Sequence, residues 1–361
     1  MKVRLEHLTK SFKSQSKNDP NDVIAVNDFN FEISDGKLVG LLGPSGCGKS
    51  TCLNLICGLL EVTSGKIYFG DNDVTDVEPE NRGVGMVFQN YALYPHLTVR
   101  ENIRFPLENL KGDKKLTKAQ MEEKVLEAAK LVQIENLLDR KPKQMSGGQQ
   151  QRVAIARALV KTPNVLLLDE PLSNLDARLR LQTREQIRRI QLETGVTTIF
   201  VTHDQEEAMS ISDVIVLMKN GVIQQIDKPQ AVYDNPANLF VAKFLGTPAI
   251  NVFKGELKDN KLYINGNEVM DHKGRDGEVI VGIRPEGFEV ADNGKFECEF
   301  EALEVMGRDT SIVCKNDASI SENKIRAIVP SETKVTSGKS IRFNLKPNKV
   351  YVFDSESEKR I

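Results

Sequence analysis

Between Gly43 and Thr51 the chain reads Gly43-Pro44-Ser45-Gly46-Cys47-Gly48-Lys49-Ser50-Thr51, which fits the spacing G-x-x-x-x-G-K-[ST]. The glycines let the backbone curl round a phosphate chain, so that successive N–H groups point inward as an anion nest. A helix opening at this point adds the positive end of its dipole. Lys49 would neutralise β- and γ-phosphates, and the Ser50 hydroxyl would ligate Mg²⁺. Further on, Val165 to Leu168 is an apolar run that empties into Asp169 and Glu170. Asp169 is placed to hold Mg²⁺ or its water shell, and Glu170 to polarise the water that attacks a γ-phosphate. An ordinary glutamate has a pKa near ~4.3, so orienting that water counts as much as accepting its proton. Ser146-Gly147-Gly148-Gln149 offers a second phosphate site by the same physics, with Ser146 as N-cap and Gln149 closing a capping box. Cys47 lies inside the first loop, where thiolate formation is expected to be favoured and oxidation would block nucleotide entry.

These residues need strands and helices to hold them. Leu38 to Leu42, Val165 to Leu168 and Thr197 to Val201 are unbroken apolar or β-branched runs, the pattern of buried parallel strands. Helical patterns lie between them. One starts at Thr117, with Gln120 three residues on, and carries Met121, Val125, Ala128 and Val132 on one face. Alternating strands and helices imply an α/β fold with a mainly parallel sheet. Val214 to Met218 and Val222 to Ile226 flank Lys219-Asn220-Gly221, a hairpin signal. Ser14 to Asp22 reads as a polar surface loop.

The pattern changes near Asn235. Helical periodicity ends after Phe240 to Phe244, and short alternating strands follow, punctuated by Asn265-Gly266, Asp276-Gly277 and Asn293-Gly294. Phe296, Cys298 and Phe300 alternate with glutamates, and Ile341, Phe343 and Leu345 with polar residues. The expectation is an α/β nucleotide-binding domain over 1–235, with a helical subdomain at about 90–160, followed by a small antiparallel β-barrel-like (OB-like) domain over 236–361.

Composition excludes several classes. The chain has 361 residues, 40% hydrophobic and 28% charged, which supports real cores and two domains. A formal charge of −2 argues against a protein held on nucleic acid by bulk electrostatics. No apolar run approaches the roughly 20 residues of a spanning helix, and the first ten residues lack a signal-peptide core. Five cysteines, with no CxxC pair and no histidine at ligand spacing, read as reduced thiols rather than disulfides or a zinc site.

Taken in chain order, the motifs resemble those of the ATP-binding cassette (ABC) family of P-loop NTPases. Walker A falls at Gly43 to Thr51, the signature at Met145-Ser146-Gly147-Gly148-Gln149-Gln150-Gln151-Arg152, and Walker B at 165–170. Ser173-Asn174-Leu175-Asp176 matches the D-loop, Gln89 the Q-loop glutamine and His203 the switch histidine. Met145 stands where the family usually has Leu, an apolar exchange that leaves the glycines undisturbed. The resemblance implies ATP and Mg²⁺ as ligands. It implies that Gln89 senses Mg²⁺ and γ-phosphate and links to membrane subunits, and that His203 contacts the γ-phosphate and Glu170. Phe12 is the aromatic that would stack on adenine, although the insertion from Ser14 stretches the usual spacing and a core phenylalanine is the competing reading. Ser146, Gly147, Gly148 and Gln149 would act in trans across an ATP-dependent, head-to-tail homodimer. Gln89 to Val99, Pro229 to Asn238 and Gly282-Ile283-Arg284-Pro285-Glu286 are similar to the carbohydrate-uptake ATPases with a C-terminal β-rich regulatory domain. That likeness implies the ATPase subunit of a sugar importer on the cytoplasmic face of the membrane. Its partners would be two permease subunits and an extracellular substrate-binding protein, with a regulatory protein docking on the β-domain. Polyamine and iron importers share such a cassette. A soluble non-transport ABC ATPase is the remaining alternative, against which stand a single cassette and no coiled-coil insertion.

Overall fold

The long apolar runs become strands buried on both faces, and their order fixes where the reactive residues emerge. The computed structural model describes residues 1–13, 22–320, 324–335 and 338–361, so the predicted loop at 14–21 lies outside the described residues. Two units are resolved, Met1–Pro229 and Gln230–Ile361.

The first unit begins with β1 (Val3–Phe12), β2 (Val23–Ile33), β3 (Leu38–Leu42), α1 (Lys49–Cys57), β4 (Ser64–Phe69), β5 (Asn72–Asp73) and β6 (Val84–Val87). It continues with α2 (Val99–Glu108), α3 (Lys118–Leu131), α4 (Gly147–Leu159), β7 (Val165–Asp169), α5 (Ala177–Thr194), β8 (Thr197–Thr202), α6 (Gln205–Ile211), β9 (Val214–Lys219) and β10 (Val222–Asp227). Six strands form one sheet in the order β10-β9-β3-β8-β7-β6, parallel throughout except for the β9–β10 hairpin. Its turn places Asn220 at φ 48° and Gly221 at φ 72°, the left-handed pair that a tight hairpin demands. Because β3, β8, β7 and β6 are parallel neighbours, their carboxyl ends open along one edge, where open α/β sheets bind ligands. A second sheet, β2-β1-β4-β5, is antiparallel and goes beyond the expected single sheet.

The helical segment is α2, α3 and α4. Each starts with a capping box, from Thr98 with Glu101, Thr117 with Gln120 and Ser146 with Gln149. Val125, Ala128 and Val132 are buried as the spacing predicts, with Met121 packed at the margin of the same core. That core includes Leu166, Leu168 and Phe200, so the helices rest on β7 and β8.

Arg82 is a buried cation with no carboxylate at salt-bridge distance among the described residues. It donates to Leu55 O (2.8 Å) and Ile56 O (3.1 Å) at the end of α1, and to Thr75 O and Val77 O, both at 2.6 Å. Those carbonyls carry the negative end of the helix dipole, which compensates the guanidinium. Gly58, at φ 84°, leaves the space it needs, because a Cβ there would sit 2.6 Å from Arg82 Nε. Arg82→Ala strands several carbonyls without donors. We expect a loss of about 2–4 kcal/mol, read as a lower urea midpoint for the first unit.

The second unit opens with α7 (Pro229–Asp234), which begins at the division, and α8 (Leu239–Phe244). Ten strands follow: β11 (Asn251–Lys258), β12 (Lys261–Ile264), β13 (Asn267–Asp271), β14 (Gly277–Ile283), β15 (Phe288–Val290), β16 (Phe296–Met306), β17 (Asp309–Lys315), β18 (Ile325–Pro330), β19 (Ser340–Leu345) and β20 (Val350–Asp354). They form two five-stranded antiparallel sheets, β13-β12-β11-β14-β20 and β15-β19-β16-β17-β18. Both sheets contribute to one core, with Phe253 and Val281 from the first and Phe296, Ile312 and Phe343 from the second. Phe296, Cys298, Ile341 and Phe343 point inward, as their alternation predicts. Asn265-Gly266 makes a left-handed turn between β12 and β13. All five cysteines are free and buried.

Candidate active site

Four neighbouring strand ends deliver the site. β3 runs into Gly43, β7 ends on Asp169 with Glu170 next, β8 leads into His203, and Gln89 follows β6. The loop from Gly43 to Gly48 turns through φ values open to glycine, 157° at Gly43, 78° at Gly46 and 103° at Gly48. A Cβ at Gly48 would sit 2.0 Å from Ala25 O, so only glycine lets the loop close over β2.

Lys49 is the first residue of α1 and is only 5% exposed. Its Nζ donates to Gly43 O and Pro44 O, each at 2.9 Å, which bends the loop back over the ammonium. Ser50 Oγ donates to Asp169 Oδ1 at 2.9 Å and joins the loop helix to β7. Burial pushes the Asp169 carboxyl above the ordinary range, and the Glu170 charge pushes the same way. The Ser50 hydrogen bond and Lys49 oppose the shift.

Glu170 adopts φ 43°, a left-handed conformation that costs a non-glycine residue energy and marks a strained position. Its amide donates to Val201 O at 3.1 Å, which anchors it to β8. Both carboxylate oxygens are held. Gln89 Nε2 donates to Oε2 at 3.1 Å, and His203 Nδ1 lies 3.2 Å from Oε1. Ser173 Oγ donates to Glu170 O at 2.9 Å, and Asn174 Nδ2 to Gln89 O at 2.9 Å, so the Ser173–Asp176 turn braces the main chain of Glu170 and of Gln89. Lys49, Ser50, Asp169, Glu170, Gln89 and His203 are thus linked along one edge of one sheet.

The signature stands apart. Ser146 and Gln149 bond each other at the start of α4, with the Gln149 amide donating to Ser146 Oγ and the Ser146 amide to Gln149 Oε1. A Cβ on Gly147 would sit 3.1 Å from Leu175 Cδ2, so Gly147 packs against the Ser173–Asp176 turn, while Gly148 lies against Leu179 and Thr183 of α5. Phe12 ends β1, is 39% exposed, and has Lys10 Nζ 5.2 Å from its ring centroid. Cys47 departs from expectation. Its thiol is buried, and that burial pushes its pKa up despite Lys49 Nζ 3.9 Å from the sulfur, so the thiol is held protonated rather than activated.

Three residues beside His203 carry no motif of their own. Thr202 Oγ1 donates to Glu207 Oε2 at 2.6 Å, and Arg180 Nε lies 3.5 Å from Glu207 Oε1. The signal that would have found Glu207 is a carboxylate on the inward face of a short helix, between Thr202 and Ala208.

The ABC transporter family profile matches residues 26–173, a span that holds the phosphate loop, the signature and the Asp169-Glu170 pair. The chain is 42% identical over 376 residues to the oligosaccharides import ATP-binding protein of Bacillus subtilis, covering 99% of each chain. The chain belongs to the ABC transporter family. The chain is also 41% identical over 354 residues to the Fe(3+) ions import ATP-binding protein of Fusobacterium nucleatum, covering 94% of this chain and 92% of that one. Among solved structures, the dimeric, post-hydrolysis ATP-binding cassette MJ0796 bound to ADP and Pi aligns with a TM-score of 0.55 at 33% identity, over 63% of this chain and 98% of that one. The cassette is therefore an ATP-binding, ATP-hydrolysing module with a further β-unit at its C-terminal end.

Proposed function

We propose that this chain is the ATPase subunit of a sugar importer. It works as a homodimer on the cytoplasmic face of the membrane, beneath two permease subunits fed by an extracellular substrate-binding protein. The observation that carries the reading is Glu170 held between Gln89 and His203, while the signature's Ser146 and Gln149 bond each other at the start of α4 and make no hydrogen bond to that site among the described residues. A site without its signature donors is completed by a second copy placed head to tail, so that Ser146, Gly147, Gly148 and Gln149 of one copy meet the γ-phosphate on the other. No helix among the described residues is long and apolar enough to cross a membrane, which fits a subunit that reaches the bilayer through partners. Relatives named for trehalose, xylose/arabinose and oligosaccharide import match nearly the whole chain and support sugar as cargo, with the iron-import relative as the alternative.

The residues divide the work. Loop amides from Gly43 to Gly48, with Ser45 and Thr51 beside them, cradle the phosphates, and Lys49 offsets their charge. Ser50, Asp169 and Gln89 supply hard oxygen donors of the kind Mg²⁺ takes, few enough that phosphate oxygens and water complete the shell. Mg²⁺, when bound, offsets charge developing on the γ-phosphate. Glu170 orients the attacking water, and His203 and Gln89 fix the carboxylate. Gln89 stands where β6 leads into the helical segment, so a change at the γ-phosphate reaches the helices through one side chain. The β-unit is proposed as the docking place for a regulatory protein.

ATPase activity stimulated by reconstituted permease and binding protein with a sugar tests the proposal. Stimulation by ferric ion or a polyamine in place of every sugar tried would overturn the cargo. Failure to bring multi-span partners from detergent-solubilised membranes would overturn the transporter role. Phe12→Ala should weaken ATP binding about tenfold, the worth of one base–aromatic stack, by fluorescent-nucleotide titration. Unchanged affinity would remove Phe12 from the site.

A further inference from the structure

We infer that Arg180 is a positioning residue of the hydrolytic site: its guanidinium fastens the Ser173–Asp176 turn to the segment that carries His203, and so sets where His203 stands against Glu170. The inference rests on the reading of Glu170 and His203 given above. Arg180 sits in the first turn of α5, after the Asp176 N-cap. It meets three acceptors on two other segments. Nη2 donates to Leu175 O at 3.3 Å, Nη1 to Asp204 Oδ2 at 3.4 Å, and Nε lies 3.5 Å from Glu207 Oε1. A planar fork with fixed donor directions holds Leu175 O and Asp204 together and sets its charge beside Glu207, a geometry that a point-charge ammonium does not fix.

His203 is bracketed by that network. On one side Thr202 Oγ1 donates to Glu207, and on the other the Asp204 amide donates back to Thr202 Oγ1 at 3.0 Å. Asp204 also accepts from the amides of Glu206 (2.8 Å) and Glu207 (3.2 Å), so its carboxylate both starts α6 and faces Arg180. Glu207 is 4% exposed; burial raises its carboxyl pKa, and the Arg180 charge opposes that shift. The turn that Arg180 holds by Leu175 O is the one whose Ser173 braces Glu170, whose Asn174 braces Gln89, and whose Leu175 side chain backs Gly147. One guanidinium therefore links the turn beside the signature to the segment whose histidine faces Glu170.

The test compares Arg180→Gln, Arg180→Lys and Glu207→Gln in the full chain by steady-state ATP hydrolysis and by nucleotide binding. We expect Arg180→Gln to lower kcat by about 10- to 100-fold, as misplacement of a catalytic group does, with ATP affinity within about twofold. Arg180→Lys should recover part of that rate. Adding Arg180→Gln to His203→Ala should cost nothing further, since both act through one group. Arg184→Ala, which removes a bond to Glu206 O on the same helix, should keep normal turnover. Unchanged kcat in Arg180→Gln, or losses that multiply in the double variant, would overturn the inference. Should Arg180→Gln fail to fold, Glu207→Gln decides by the same readout, because it keeps the Thr202 bond and removes only the charge facing Arg180. Hydrolysis surviving in Glu170→Gln would instead strike the reading of the site itself, independently of Arg180.

Discussion

Glu170→Gln should bind ATP with nearly unchanged affinity, lose about 10²- to 10³-fold in turnover, and accumulate as an ATP-bound dimer. Glutamine keeps the length and planarity of the side chain and can stay between Gln89 and His203, one contact as acceptor and one as donor. It cannot accept a proton, and it brings no negative charge to orient a water through its hydrogens. The phosphate loop is untouched, because Lys49 and Ser50 bond to Gly43, Pro44 and Asp169 rather than to Glu170. Removing a carboxylate that faces the γ-phosphate also lifts a repulsion against bound ATP, which favours the closed dimer. Phosphate release and size-exclusion chromatography with Mg-ATP measure the two halves of this expectation. Near-normal turnover would show that the nucleophilic water is oriented by another group.

Legibility followed the range of the interactions. The parallel strands were readable because a strand buried on both faces is an unbroken apolar or β-branched run, and β3 and β8 are buried at every position. Capping boxes at Thr117 and Ser146 are local chemistry, fixed by a spacing of three residues, and both formed. The antiparallel sheet of β1, β2, β4 and β5 was hidden because its period breaks. Val3 and Leu5 alternate, then His7 takes φ 49° and the register shifts before Leu8, so the apolar side chains stop falling two apart. Cys47 was misread because proximity to Lys49 and a helix N-terminus is visible in sequence, whereas its burial against the glycine at position 43 is not. Arg82 and Arg180 were silent for a related reason: their partners are backbone carbonyls or carboxylates brought close only by the fold, and a lone arginine in sequence reads as a solvated charge.

Lys49→Ala should lower ATP affinity by about 10- to 100-fold and abolish measurable hydrolysis, while the folded protein changes little in stability, because relief of the buried charge offsets the two carbonyls left without a donor. The reasoning starts from burial. An ammonium that is 5% exposed and bonded to two neutral carbonyls is a charge taken out of water with no carboxylate at salt-bridge distance among the described residues, only the more distant Asp169 charge. Such a group is costly in the free protein, and its compensation comes from the phosphates that the loop encloses. Removing it therefore costs binding, not folding, the trade expected where a site is organised for a ligand rather than for stability. Gly43, Gly46 and Gly48 hold the loop's shape by their own backbone angles, so the nest of amides survives the substitution and some affinity remains. Lys49→Arg should not rescue, because a planar guanidinium is larger than an ammonium and presents a fork where the loop carbonyls converge on a point. Titration with a fluorescent ATP analogue, beside a thermal melt of the nucleotide-free protein, separates the two effects. A fall in melting temperature without loss of affinity would make Lys49 a structural residue of the loop and remove it from phosphate binding.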